Sequence, residues 1–91
     1  HRVLVNEIIY IESWKDYVKL FLTGERTLLV KQSISALENM LSNHKFIRVH
    51  RSYIVSMRSI TSYDKASIYV QQIEIPIGRL YKQTVMSQLS L

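Results

Sequence analysis

Arg51 and Arg79 stand in parts of this chain where no carboxylate is close in sequence. Between Glu38 and Asp64 there is no acid, yet Lys45, Arg48, Arg51 and Arg58 fall there with His44 and His50. After Glu74 there is again no acid, while Arg79 and Lys82 follow. Acid-free basic segments suit a face that meets phosphate, because each nearby carboxylate would repel the polyanion. Arginine adds a planar fork of donors that matches the O6 and N7 acceptors of guanine. The hydroxyls of Ser52, Tyr53 and Tyr81 and the ammoniums of Lys15, Lys45 and Lys82 suit phosphate contacts that position without specifying. The same charges are equally compatible with a solvated positive face, Arg51 and Arg79 then sitting in surface salt bridges. Arg48 alternates with Phe46 and Val49, so it can cover a sheet or pair with a carboxylate as readily as touch a ligand. His50 can meet a ligand or hold its own loop through the backbone.

Catalysis finds little support. A nucleophile with its base, a carboxylate pair or a metal constellation is required. The three histidines, His1, His44 and His50, include no pair at the i, i+4 spacing of a helical zinc site. Glu12 and Asp16 flank one turn and are expected to be solvated. Gly24 and Gly78 are isolated, so there is no glycine-rich phosphate loop. The absence of cysteine removes disulfides, thiolate zinc sites and thiol catalysis together, and fits a reducing cytoplasm. No enzyme, cofactor, metal or small-molecule substrate is expected.

Composition narrows the class further. The 91 residues suit a single domain, 1–91, and 47% hydrophobic residues argue for a packed core. Twelve Lys and Arg against seven Asp and Glu give +5, which favours nucleic acid, a membrane surface or an acidic protein as partner. No apolar run approaches the roughly 18–20 residues needed to cross a bilayer. The chain begins at His1 rather than Met and reads as one module of a longer protein.

The elements that must carry these residues are mostly strands. Residues 7–12 (EIIYIE) and 17–22 (YVKLFL) are rich in β-formers and should pair as a hairpin across Ser13, Trp14, Lys15 and Asp16. A third strand is expected at 26–30, after the turn at Gly24. Ile34, Leu37, Met40 and Leu41 then follow helical spacing, which predicts a helix near 33–42 with these side chains toward the core and Ser33 as N-cap. Ser35 with Glu38 offers an alternative cap. Residues 46–49 (FIRV) read as a strand, and 53–57 as a helical turn or another strand. Residues 60–63 and 66–70 flank Asp64 and Lys65, a two-residue link of hairpin length. Ile73, Ile75 and Ile77 alternate in a strand whose Pro76 points to an edge or an end. Residues 80–89 close the chain as a helix, with Tyr81, Val85 and Leu89 four apart. Strands on both sides of one helix do not make a βαβ alternation, so a mainly antiparallel domain is expected. Two adjacent helices for a helix-turn-helix are lacking, so any reading of DNA would come from loops or strands.

The stretch 46–55 (FIRVHRSYIV) resembles the central motif of the LytTR DNA-binding family, F-x-R-x-H-R-S-x-I-V. The opening hairpin, the helix containing Leu37 to Leu41 and the closing segment Ile75, Pro76, Ile77, Gly78, Arg79, Leu80 and Tyr81 resemble that family in order and spacing. This resemblance implies an elongated, mainly β fold of antiparallel sheets, with about ten short strands and one or two short helices. It implies contact with double-stranded DNA through loops entering successive grooves. Arg51, Arg79, Lys15 and Trp14 match base-contacting positions, and His50, Ser52, Tyr53, Lys45, Tyr81 and Lys82 are expected near phosphates. Ser56 stands where the family often has Asn, and Gly78 where it often has Ser; either change could remove a phosphate contact. The resemblance also implies a cytoplasmic output module of a two-component transcriptional regulator. A receiver or sensor module would precede it, the isolated domain would be monomeric, and two copies would bind repeated half-sites. Two other readings stay open: a single-strand or RNA binder built on the tyrosines of a sheet, and a protein-interaction module with a basic face.

Overall fold

The alternating apolar runs close into antiparallel ladders. In a computed structural model describing residues 3–90, β1 (Ile8–Trp14), β2 (Tyr17–Leu22), β3 (Arg26–Val30), β4 (Phe46–His50) and β5 (Tyr53–Ser56) form a five-stranded sheet in the order β3-β2-β1-β5-β4. A second sheet, β6-β7-β8, comprises β6 (Ile60–Tyr63), β7 (Ser67–Val70) and β8 (Ile73–Pro76). All pairings are antiparallel. The helices are α1 (Ile34–Met40) and α2 (Lys82–Leu89), and single 3-10 turns include Arg79–Tyr81. Eight strands among the described residues replace the expected ten or so. Segment 53–57 resolves into β5 followed by a 3-10 turn. His1 lies outside the described residues.

Each face of the large sheet buries its own apolar set. Ile11, Val18, Leu20, Phe46 and Ile54 pack with Ile34 of α1 on one side. Ile47, Val49 and Val55 pack with Ile68, Val70 and Ile75 of the small sheet and Val85 of α2 on the other. Of the two available caps on α1, Ser33 is used: its Oγ accepts the Ala36 N–H at 3.0 Å. Ile34 is buried and Leu37 and Leu41 are half-buried, but Met40 is 71% exposed, which corrects its expected place in the core. The helical rotation of about 100° per residue explains this. Leu37 and Leu41 lie within about 60° of Ile34, while Met40 is turned about 120° away.

The β6–β7 link is three residues rather than two. Asp64 Oδ1 accepts the N–H groups of Ala66 and Ser67, both at 2.8 Å, closing the turn without glycine. Those bonds hold the Asp64 carboxyl below its ordinary pKa. Pro76 ends β8, which is an edge strand, as its missing N–H requires. β3 is likewise an edge strand, and Leu29 on it is 54% exposed.

Two stability outcomes follow from these placements. Ile34→Ala is expected to cost about 2–5 kcal/mol in urea unfolding, and Met40→Ala to stay near zero. Asp64 has a depressed folded pKa, so its stabilisation is complete above the unfolded-state carboxylate value and is lost as pH falls through the folded one. Asp64→Ala is therefore expected to be less stable than the parent at neutral pH, the gap closing in strong acid; a pH-independent gap would contradict this.

Candidate nucleic-acid interface

Register brings three turns to one end of the large sheet. Trp14 pairs with Tyr17 across Lys15 and Asp16, and Lys15 takes a positive φ of 54° to make that tight reversal. Glu12 pairs with Tyr53, and the Ser13 N–H donates to the Ser52 carbonyl at 2.8 Å. The Lys15 turn therefore lies beside the turn carrying Arg51. The third turn is tied on by the Gly78 N–H, which donates to the Val49 carbonyl at 2.8 Å. His50, Arg51, Gly78, Arg79, Leu80 and Tyr81 consequently line one shallow cleft, with both arginines exposed. Residues 28 positions apart in sequence become neighbours.

A bulge in β4 makes this possible. Arg48 pairs with Ile54 and His50 with Tyr53, leaving Val49 as the extra residue. Bulges re-aim side chains and free backbone groups from the ladder. Here the Val49 side chain is fully buried while its carbonyl serves Gly78. In the turn itself, His50 Nδ1 accepts the Ser52 N–H at 3.0 Å. The neutral ring then carries its proton on Nε2, so that atom is the one available to donate. The His50 ring meets Tyr53 edge-on, with centroids 5.5 Å apart. Tyr53 directs its hydroxyl to Glu12 Oε2 at 3.3 Å, and burial followed by the Glu12 charge raises its pKa.

Arg48 faces inward. Its side chain is 10% exposed and pairs with Glu38 at 2.6 Å. Its Nε donates to the His50 carbonyl at 2.8 Å and its Nη2 to the Arg51 carbonyl at 2.7 Å. The guanidinium also lies 5.6 Å from the Tyr81 ring centre. Of the readings open from sequence, the carboxylate partner is the one observed.

The remaining positions divide. Trp14 is 51% exposed, with the Lys19 ammonium 5.3 Å from its ring centre. Tyr10 is buried and stacked on Phe21, whereas Tyr17 and Tyr63 are exposed. Lys82 opens α2, directly after Tyr81. Lys45 is not brought into the cluster: it precedes β4 at the end opposite Arg51, beside His44 and Arg58. Ser56 is buried at 2% exposure, so its departure from the family pattern falls in the interior rather than on the surface. At Gly78 an added Cβ would lie 3.1 Å from Tyr81 Cδ2, so glycine leaves room for that ring. Lys31 was missed by sequence reasoning. Val18 pairs with Val30, which sets Lys31 opposite Tyr17 at the same sheet end as Lys15. Only the β2–β3 register shows this.

Basic side chains on adjacent turns of an antiparallel β domain, with no ion-pair partner among the described residues, suit contact with nucleic-acid phosphate. The chain is a member of the LytTr DNA-binding domain family, whose model matches residues 1–90. The family is a DNA-binding one rather than an enzymatic one. Its fold is similar to the LytTr DNA-binding domain of a methyl-accepting/DNA response regulator from Bacillus cereus. The TM-score is 0.85 at 22% identity, covering 98% of this chain and 86% of that one. The sequence is 24% identical over 87 residues to an uncharacterized response regulatory protein of Vibrio cholerae, covering 87% of this chain and 33% of that protein. The chain thus spans about a third of that relative's length. Among the described residues there is no cluster of three metal-ligating side chains, and no helix is long and apolar enough to cross a membrane.

The occupied Tyr53 hydroxyl gives a direct check. Tyr53→Phe is expected to leave DNA affinity within about twofold, whereas a lost phosphate bond would cost about fivefold or more. Titration of labelled duplex with parent and variant distinguishes these outcomes.

Proposed function

We propose that this chain reads double-stranded DNA in a sequence-specific way, as the output domain of a bacterial two-component transcriptional regulator. The observation that carries this reading is the convergence of Arg51 and Arg79 on one cleft beside the Lys15 turn. Among the described residues no carboxylate lines that cleft. In this reading Arg51 and Arg79 meet base edges, with Trp14 and Lys15 contributing from the neighbouring turn. His50, Ser52, Tyr81, Lys82 and Lys31 face the phosphates. From β3 to β4 the sheet end spans four strand spacings, about 19 Å. That exceeds a major groove about 12 Å wide, so the turns would enter adjacent grooves and meet the backbone between them.

A receiver or sensor module in the full-length protein would supply dimerisation, placing two otherwise monomeric domains on repeated half-sites. Cytoplasmic location follows from DNA as the partner, and no cofactor or small-molecule substrate is required. A single-strand or RNA reading draws on exposed Trp14, Tyr17 and Tyr63, which could stack on bases.

The test is a binding titration against a duplex selected from a random library, a scrambled duplex and the matching single strand. Arg51→Ala and Arg79→Ala should each lose about 1–3 kcal/mol on the selected duplex and much less on the scrambled one. Arg→Lys should rescue only partly, because the planar fork is lost. Equal losses on both duplexes would reduce these arginines to phosphate anchors, and preference for the single strand would favour stacking.

Salt dependence supplies a second outcome. Lys15→Ala and Lys31→Ala should each shallow the log–log salt slope by about 0.9. Lys45→Ala, at the far end of β4, should change it less. A slope unaffected by Lys15 and Lys31 would move the interface away from this sheet end.

A further inference from the structure

We propose that Arg48 is a positioning residue for recognition: it sets the shape of the turn that presents Arg51 and makes no DNA contact itself. This rests on the reading of Arg51 as a base contact. The guanidinium has five N–H donors in a fixed fork, and in this fold they converge on the protein. Nε and Nη2 take the carbonyls of His50 and Arg51, at 2.8 and 2.7 Å, and Nη1 takes Glu38 on α1 at 2.6 Å. Two carbonyls flanking the tip of the turn are thereby drawn inward, while the Arg51 side chain remains exposed.

The same guanidinium lies 5.6 Å from the centre of the Tyr81 ring, two residues after Arg79. One cation therefore touches α1, the Arg51 turn and the Arg79 turn. Its charge is offset by Glu38, and its side chain is only 10% exposed, which leaves little of it for a polyanion. Lysine cannot reproduce this, since a single ammonium cannot hold two carbonyls and a carboxylate in one plane while facing a ring. Charge-assisted bonds of this kind are short and directional, suited to fixing a backbone that would otherwise sample several turn shapes.

The experiment compares Arg48→Met, Arg48→Lys, Arg51→Ala and the double variant Arg48→Met/Arg51→Ala. Each is titrated against selected and scrambled duplex at several salt concentrations, and amide hydrogen exchange is followed at Ser52. Ser52 reports on the turn directly, because its N–H is bonded to His50 Nδ1. Expected are a loss of about tenfold on the selected duplex for both Arg48 variants and little change on the scrambled one. The salt slope should be unchanged, and Ser52 exchange should be faster without DNA. The double variant should bind no more weakly than Arg51→Ala alone, since the two act through one contact.

A slope shallower by about one would make Arg48 a phosphate contact and overturn the proposal. So would additive losses, or unchanged Ser52 exchange. If Arg51→Ala itself costs nothing on the selected duplex, the base-reading assignment fails, and unaltered specificity in the Arg48 variants would then show that positioning fails with it. Should Arg48→Met not fold, Glu38→Gln removes the carboxylate partner from the exposed side. It should speed Ser52 exchange and lower specificity in the same direction by a smaller factor; no change in either would overturn the proposal.

Discussion

Backbone groups buried at a sheet margin must find partners, and the outer edge of β4 meets that demand in a way that gathers the basic turns. The Val49 side chain is fully buried, so its carbonyl has little access to water. The Gly78 N–H supplies the bond that a further strand would otherwise make. That single tie seats the segment after β8 against the end of β4. It thereby sets Arg79 beside Arg51. The bulge at Val49 and the missing side chain at Gly78 are the two local conditions for it, one freeing the carbonyl and the other admitting the Tyr81 ring.

Charge is distributed to match. Among the described residues two ion pairs are present, Arg26 with Glu7 and Arg48 with Glu38. The first lies at the opposite end of the sheet from the turns, and the second sits beneath the Arg51 turn, whose carbonyls Arg48 also holds. The cations placed at that end retain their charge for a partner, while Arg48 is neutralised and spends its donors on the backbone. Charge alone would therefore misrank the arginines of the central motif; their hydrogen-bond partners separate the structural one from the exposed one.

Much of the architecture was legible in local pattern. Alternation located the strands, Pro76 marked an edge and an end, and Ser33 marked the start of α1. The errors share a cause, which is that periodicity reports neighbours along the chain and not register across it. Met40 kept the expected spacing but fell outside the arc that the sheet covers. The aspartate at position 64 closed a longer turn than the count of residues between strands suggested. Lys31 and Lys45 look alike in sequence, and only strand pairing puts one beside the Lys15 turn and the other at the far end. The Glu12 carboxylate that accepts the Tyr53 hydroxyl lies 41 residues away in sequence, and only the pairing of β1 with β5 shows it.

The unpaired margin of β3 has a further consequence, for self-association rather than recognition. A free strand edge is a template on which a second chain can add its own strand, and exposed Leu29 would reward that addition. The strand is only five residues long and is flanked by charged side chains, Glu25 and Arg26 at one end and Lys31 just beyond the other, so any ladder added there would be short and bounded by charge. Charged side chains closing both ends of a short edge strand make it a poor template, so the shortness of β3 itself weighs against sheet extension from one copy to the next.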